Sequence, residues 1–121
     1  MSKPIERHRV GKRFSEIAVH NGVAYLAGQV AEDLKQDITG QTREVLGMVE
    51  CLLLDVGSDK SKLLSVQIFL ANISDIDAMN AVWDDWISKG DGIGNAPPRA
   101  TVEAKLVNPG YKIEIVVTAA V

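Results

Sequence analysis

Two segments of the chain have helical periodicity, and strand-like segments lie before, between and after them. Apolar residues recur at intervals of three and four positions from Val45 to Val56 and again from Met79 to Ile87. The other apolar segments alternate or are rich in β-branched residues, which is typical of strands. Two helices cannot cover both faces of the sheet that these strands would form. The pattern therefore predicts an α+β fold with a single mixed β-sheet and both helices packed on one face.

The turn signals predict where the first elements begin and end. Asn21-Gly22 stands between two strand-like segments, residues 14–20 and 23–29, and both turn residues tolerate a positive φ. Gly57 is placed to end the first helix, because glycine accepts the left-handed conformation that follows a helix. Residues 74–77, Ser-Asp-Ile-Asp, resemble a capping box that would begin the second helix.

The second half of the chain predicts further elements. Trp83 and Trp86 are expected to pack in the core rather than to line a ligand site. Residues 90–98 are rich in glycine and proline and predict an exposed loop. Residues 99–106 and 111–121 are predicted strands, and Asn108-Pro-Gly110 between them predicts a C-terminal β-hairpin. The expected order is β-β-β-α-β-α-β-β, and the 121 residues fit one domain, 1–121.

Alternation in the last predicted strand leaves the second face of the sheet half apolar. The side chains opposite the core-facing set are Glu114, Val116, Thr118 and Ala120. Such a face on a small domain predicts burial against other copies of the chain. A face that merely tolerates solvent is the alternative.

Composition and charge exclude several classes of protein. The net charge is -3, no basic run occurs, and 46% of the residues are hydrophobic without any apolar stretch that could span a bilayer. Nucleic acid and membrane are therefore not expected partners. The N-terminal residues contain no apolar stretch typical of a secretory signal, and the single cysteine excludes a disulfide, so a cytoplasmic location is expected.

The residues that could bind a metal are too few and badly spaced. His8 and His20 do not lie at ligand spacing from each other or from Cys51. Cys51 is expected to be an inert thiol in a buried turn of the first helix. No metal site is predicted.

Two charged residues are candidates for chemistry. Arg99 follows Pro97-Pro98 at the start of a predicted strand, where its planar guanidinium could bind a carboxylate. Glu114 interrupts an apolar strand, where a carboxylate is costly unless it meets solvent, a partner or a substrate. The alternatives are an ordinary surface arginine and a solvated position in an alternating strand. In the predicted hairpin the two residues would not meet within one chain, so a shared site would combine Arg99 of one subunit with Glu114 of another.

Several short motifs, in this order along nearly the whole chain, resemble the RidA/YjgF family of reactive intermediate (enamine/imine) deaminases. The motifs are Ala27-Gly28-Gln29, residues 55–64, Val66-Gln-Ile-Phe-Leu70, Met79-Asn80-Ala81-Val82-Trp83, residues 98–103 and Lys112-Ile113-Glu114-Ile115. The tryptophans of the second helix and residues 106–112 look closest to the YoaB-like branch.

The resemblance implies a chorismate-mutase-like fold and a homotrimer with three clefts between subunits. It also implies hydrolysis of 2-imino acids, formed from 2-aminoacrylate and related enamines, to 2-keto acids and ammonia without a cofactor. Arg99 would bind the substrate carboxylate, Glu114 would hold the attacking water, and Thr101 would serve through its backbone amide. Gly28 would complete the substrate-binding residues with Ala27 and Phe14.

This sequence departs from the family pattern at three of those positions. Phe14 replaces the family's site tyrosine, Ala27 replaces a serine, and Thr101 replaces a cysteine. The loss of two hydroxyls keeps open a second hypothesis, a non-catalytic or regulatory trimer that binds a keto acid or a similar carboxylate. A nuclease or translation inhibitor, also attached to this family, is disfavoured by the acidic charge.

Overall fold

The computed structural model describes residues 4–121 as six strands and two α-helices around one sheet. The elements are β1 (Glu6–Val10), β2 (Ser15–His20), β3 (Val23–Leu26), α1 (Ile38–Asp55), β4 (Leu63–Leu70), α2 (Ile76–Ile87), β5 (Arg99–Glu103) and β6 (Ile113–Ala120). Both helices pack on one face of the mixed sheet, so the predicted α+β fold class is confirmed. The architecture is the chorismate-mutase-like fold that the sequence resemblance implies.

The sheet has the order β1-β2-β3-β6-β4-β5, in which every neighbouring pair is antiparallel except β4 and β5. The predicted hairpin at Asn21-Gly22 is confirmed. Both turn residues have a positive φ, 51° and 79°, as a type I′ turn requires. β6 lies near the middle of the sheet, between β3 and β4, and β5 forms one edge.

The predicted C-terminal β-hairpin is wrong. β5 and β6 do not pair, because β4 lies between them and pairs with both. β4, α2 and β5 form a β-α-β crossover, which is how two parallel strands are joined. The long, alternating β6 belongs in the interior of the sheet, and the short, mostly exposed β5 suits an edge. The Asn108-Pro-Gly110 turn signal therefore lies in a loop, residues 104–112, that crosses to the far side of β4.

Both predicted helical stripes face the sheet. Val45, Leu46, Val49, Leu52 and Leu53 are buried on α1. The helix ends in a Schellman motif: Gly57 has a φ of 76°, its N–H donates to Leu54 O, and the Ser58 N–H donates to Leu53 O. The predicted role of Gly57 is confirmed.

Two local predictions about the helices are wrong. Cys51 is exposed, because it lies two positions from Val49 and so on the opposite side of the helix. Ser74 does not cap α2, which begins at Ile76 after a 3₁₀ turn, Ile73–Asp75. The Asn72 side chain caps that turn instead, accepting from the N–H of Ser74 at 3.0 Å and from its hydroxyl at 2.7 Å.

The face of the sheet away from the helices, hereafter the open face, has no covering element among the described residues. Along β6, buried side chains alternate with half-buried ones, as the sequence predicted. Tyr25 and Val102 are exposed on the same side. The half-apolar character of the open face is thus a feature of the fold, and its burial in an oligomer stays a prediction.

Candidate functional site

Arg99 is the first residue of β5, at the free edge of the sheet. Its backbone pairs with Val66, a helix-facing residue of β4, so its side chain turns toward α2. There Arg99 Nη2 donates to Asn80 Oδ1 at 2.8 Å, and its guanidinium carbon lies 5.2 Å from the centroid of the Trp83 ring. Within residues 4–121, Arg99 forms no ion pair. An unpaired guanidinium with most of its donors free is suited to a carboxylate.

Thr101 turns its side chain to the same face as Arg99, two positions along the strand. Its hydroxyl oxygen is buried without a hydrogen-bond partner in the described residues. Its backbone N–H points away from β4, within the plane of the sheet. Because Val66 N–H donates to Pro98 O and Ala104 N–H donates to Leu70 O, the even-numbered residues of β5 face β4. The N–H of Thr101 therefore lies on the free edge, where it is available to a ligand.

Glu114 lies on the open face of the sheet. It alternates with the buried Ile113 and Ile115 and pairs with Phe69 of β4. Its carboxylate rests against the backbone of Gly28. A β-carbon at Gly28 would overlap a carboxylate oxygen of Glu114 and lie 2.9 Å from its Cδ. Only glycine leaves this space for the carboxylate.

Gly28 lies beside Glu114, Ala27 precedes Gly28 in the chain, and Phe14 lines the same groove as Gly28. Ala27 N–H donates to Glu16 O at 2.9 Å, which holds the end of β3 against β2, and the Gln29 side chain donates to Ala27 O at 2.9 Å. A groove of about 410 Å³ runs past this corner. Its lining includes Phe14, Glu16, Gly28, Leu34, Met48 and Tyr111. The predicted site residues thus form one group of four: Phe14, Ala27, Gly28 and Glu114.

The second group, Arg99 and Thr101, is separated from the first. Arg99 pairs with Val66 and Glu114 with Phe69, so the two lie two strands and three residues apart, roughly 14 Å by ordinary sheet spacings. Their side chains also project from opposite faces. The hairpin register from which we argued their separation is wrong, but within one chain the two residues remain apart for this different reason.

Sequence reasoning missed the two residues that contact the Arg99 side chain. Asn80 was part of a motif without a role, and Trp83 was predicted only as a core residue. Trp83 is indeed buried and packs on Trp86, with ring centroids 5.5 Å apart. The available signal was the spacing of Asn80 and Trp83, which places them on one side of α2. Because the sequence did not predict the β-α-β crossover, it did not indicate that this side of α2 faces Arg99.

A third missed residue holds the loop between β5 and β6. Gln41 is fully buried near the start of α1. Its amide nitrogen donates to Gly110 O at 3.1 Å and its oxygen accepts from Lys112 N–H at 2.9 Å. This fixes the chain immediately before β6 and so the approach to Glu114.

The ionisable groups with shifted pKa values lie outside both groups. The Ser61 hydroxyl and then its backbone N–H donate to Asp59 and lower the pKa of that carboxyl. A hydrogen bond and ion pair with Lys89, at 2.8 Å, lowers the pKa of Asp85.

Among residues 4–121, no cluster of three histidine, cysteine or acidic side chains is placed to hold a metal ion. Neither described helix combines the length and apolar character of a membrane span.

Comparison with known proteins identifies the family. Residues 5–121 match the family described as Endoribonuclease L-PSP. A RutC family protein of Haemophilus ducreyi is 46% identical over 117 residues, which are 97% of each chain. RutC family protein YoaB of Escherichia coli K12 is 43% identical over 109 residues, covering 90% of this chain and 91% of YoaB. The crystal structure of NMB1025 from Neisseria meningitidis, a member of the YjgF protein family, has a TM-score of 0.90 at 36% identity, covering 97% of this chain and 94% of that one. This chain therefore belongs to the RidA/YjgF family and is similar to its YoaB-like members.

Proposed function

We propose that this protein hydrolyses 2-imino acids to 2-keto acids and ammonia in clefts between the subunits of a homotrimer. The observation that carries the proposal is the guanidinium of Arg99, which is held at a sheet edge without a carboxylate partner in the described residues. Membership of the RidA/YjgF family supports the same reaction. The proposed location is the cytoplasm, and the proposed reaction needs no metal or organic cofactor.

The substrate's carboxylate would fix it in the cleft. Two parallel hydrogen bonds from Arg99 would orient the carboxylate, and the Thr101 N–H on the free edge would add a third. This arrangement supplies position rather than bond-making chemistry. Removing the arginine side chain should therefore mainly abolish productive binding.

Glu114 would serve the reacting carbon. A protonated imine is electrophilic, so one positioned water is sufficient to attack it. Glu114 would accept a proton as the water oxygen bonds to the imine carbon, giving a carbinolamine. Returning that proton to the amino group would let the C–N bond break with its electron pair, so ammonia leaves, and the hydroxyl proton would pass to Glu114 as the carbonyl forms. The position of Glu114 against Gly28, a residue that lines a groove, is suited to holding that water.

The two groups must meet across a subunit boundary for this mechanism to work. They project from opposite faces of one sheet, roughly 14 Å apart. Packing the half-apolar open face against neighbouring copies would bring the edge of one chain to the open face of the next. A closed cyclic trimer would contain three equivalent clefts.

The main alternative is a non-catalytic trimer that binds a keto acid. Phe14, which is 62% exposed beside the groove, and Ala27 carry no hydroxyl to orient an imine or a water. The name of the matched family also suggests RNA cleavage. We do not propose that activity, because the net charge of -3 and the absence of a basic run in the sequence oppose binding to a polyanion.

The test measures the hydrolysis of imino acids that an amino-acid oxidase generates in the cuvette. The release of keto acid and of ammonia is the readout. We expect the wild-type protein to accelerate hydrolysis and Arg99→Ala to remove most of the acceleration. Arg43→Ala, which removes an exposed arginine from α1, is the matched control and should retain it. Equal rates for the wild type and Arg99→Ala would contradict the proposal. Saturable, Arg99-dependent keto-acid binding without turnover would favour the alternative.

A further inference from the structure

We propose that Asn80 and Trp83 are positioning residues that hold Arg99 by neutral groups alone, and that this neutrality makes the site selective for an anionic carboxylate. The inference rests on the proposed role of Arg99 in binding a carboxylate, but it does not depend on turnover. It assigns a function to one side of α2.

Two contacts hold the Arg99 guanidinium in place. Asn80 accepts one guanidinium N–H at 2.8 Å, and the Trp83 ring lies beneath the guanidinium carbon at 5.2 Å. Trp83 is 5% exposed and packs against Trp86 in a tilted arrangement, with an angle of 48° between the ring planes, so packing fixes the ring. An amide oxygen fixes one corner of the guanidinium and an aromatic face supports its plane.

The neutrality of both partners matters for charge. A carboxylate in the position of Asn80 would form an ion pair with Arg99 and occupy donors that a ligand needs. The Asn80 amide oxygen accepts one hydrogen bond from Arg99 and, being neutral, leaves the positive charge uncompensated. A guanidinium has five N–H donors, so the contact with Asn80 leaves most of them for an incoming anion.

The other end of the same aromatic pair provides a contrast within the molecule. Lys60 Nζ lies 5.0 Å from the centroid of the Trp86 ring, a distance close to that of Arg99 from Trp83. Lys60 also lies 3.3 Å from Glu50 Oε1 and donates to Trp86 O at 2.9 Å. Two cations therefore lie on two packed tryptophans, but only the one on Trp86 is neutralised by a carboxylate.

The decisive variant is Asn80→Asp, which keeps the shape and the hydrogen bond but adds a negative charge. Pyruvate is the probe, and its Kd is measured by calorimetry. We expect binding to weaken roughly tenfold to hundredfold, because hydrogen bonds to charged groups contribute about 1.5–3 kcal/mol. The thermal midpoint should not fall, since the new carboxylate pairs with Arg99. Asn72→Asp adds the same charge at the far end of β4 and should leave the Kd unchanged.

Trp83→Phe and Val19→Ala form a second pair of variants. With imino acid as substrate, Trp83→Phe should raise KM severalfold with little change in kcat, because it loosens only the binding arginine. Val19→Ala removes a core contact in β2, four strands away from Arg99, and should change neither value. This separation of KM from kcat would not result from a general loss of stability.

Three results would overturn the inference. They are wild-type pyruvate affinity in Asn80→Asp, an equal loss of affinity in Asn72→Asp, and no saturable pyruvate binding by the wild type. Failure of imine hydrolysis alone would overturn only the proposed function. In that case, a loss of pyruvate binding in Asn80→Asp would still support the inference.

Discussion

At the scale of single residues, Arg99 and Glu114 have surroundings that leave their charges available. Arg99 contacts an amide and an indole, and Glu114 rests against the backbone of a glycine. Neither forms an ion pair among the described residues. Several other charged side chains of the described residues form ion pairs at the surface. That Arg99 and Glu114 do not is consistent with a site that binds a charged molecule.

Gly28→Ala should reduce activity more than stability. The new β-carbon would overlap the end of the flexible Glu114 side chain, which can turn away at little cost to folding. The displaced carboxylate would no longer hold the water, so imine hydrolysis should fall roughly tenfold to hundredfold. Gly47→Ala is the control, because a β-carbon there meets no atom within 4 Å. This control should keep full activity and stabilise α1 by about 0.5–1 kcal/mol in urea unfolding. Wild-type activity in Gly28→Ala would contradict the role of Glu114.

Asp59 should contribute to acid sensitivity. Hydrogen bonds from Ser61 lower the pKa of its carboxyl in the folded chain below the ordinary value of 3.8. Folding is therefore favoured by the ionised form. The contribution is complete above the unfolded pKa and is lost as pH falls through the folded pKa. NMR titration of the carboxyl carbon should show the lowered pKa in the wild type and a return toward 3.8 in Ser61→Ala. Identical titration curves would contradict this account.

Most residues of the candidate site were predictable from the sequence, but the residues that hold them in place were not. Arg99 and Glu114 are predicted from their sequence context, and the family resemblance adds Phe14, Ala27, Gly28 and Thr101. The structure places the six in two groups. The contact between Asn80 and Arg99 could not be predicted, because it depends on where the strand that follows α2 joins the sheet. Gln41 gave no signal either, since a polar residue in a helix is ordinarily exposed until a loop is found to bury it.

At the scale of elements, periodicity predicted the helices and most strands, and turn chemistry predicted the first hairpin. Strand pairing was less accessible. Asn108-Pro-Gly110 is compatible with a hairpin and with a longer crossing loop, and local sequence does not distinguish them. The choice is made by long-range packing, because β4 has a buried face and finds neighbours on both sides.

The buried amide of Gln41 should be important for that crossing loop. Gln41→Leu fills a similar volume but leaves Gly110 O and Lys112 N–H without their partner. We expect a loss of about 1–3 kcal/mol in the free energy of unfolding. Hydrogen exchange at the Lys112 amide should become faster, while amides in the middle of α1 change little. Unchanged protection at Lys112 would contradict the proposed role of Gln41.

At the scale of the whole molecule, the two groups of candidate site residues lie apart within a single chain. Arg99 lies at one edge of the sheet on the helix side, and Glu114 lies on the open face. The fold exposes both but does not bring them together. Assembly of copies through the open face is therefore the central claim of the proposed function. The sequence predicted the separation of Arg99 and Glu114 from a strand pairing that is wrong, and the observed pairing separates them for a different reason.

Complementation between two inactive variants tests this claim most directly. Arg99→Ala and Glu114→Gln are unfolded together, mixed in equal amounts and refolded, and imine hydrolysis is compared with each variant refolded alone. If each cleft takes Arg99 from one subunit and Glu114 from another, about a quarter of the clefts in randomly mixed trimers recover both residues. The account predicts activity near that fraction of the wild type. A mixture no more active than its inactive parents, although mass measurement shows mixed oligomers, would contradict it.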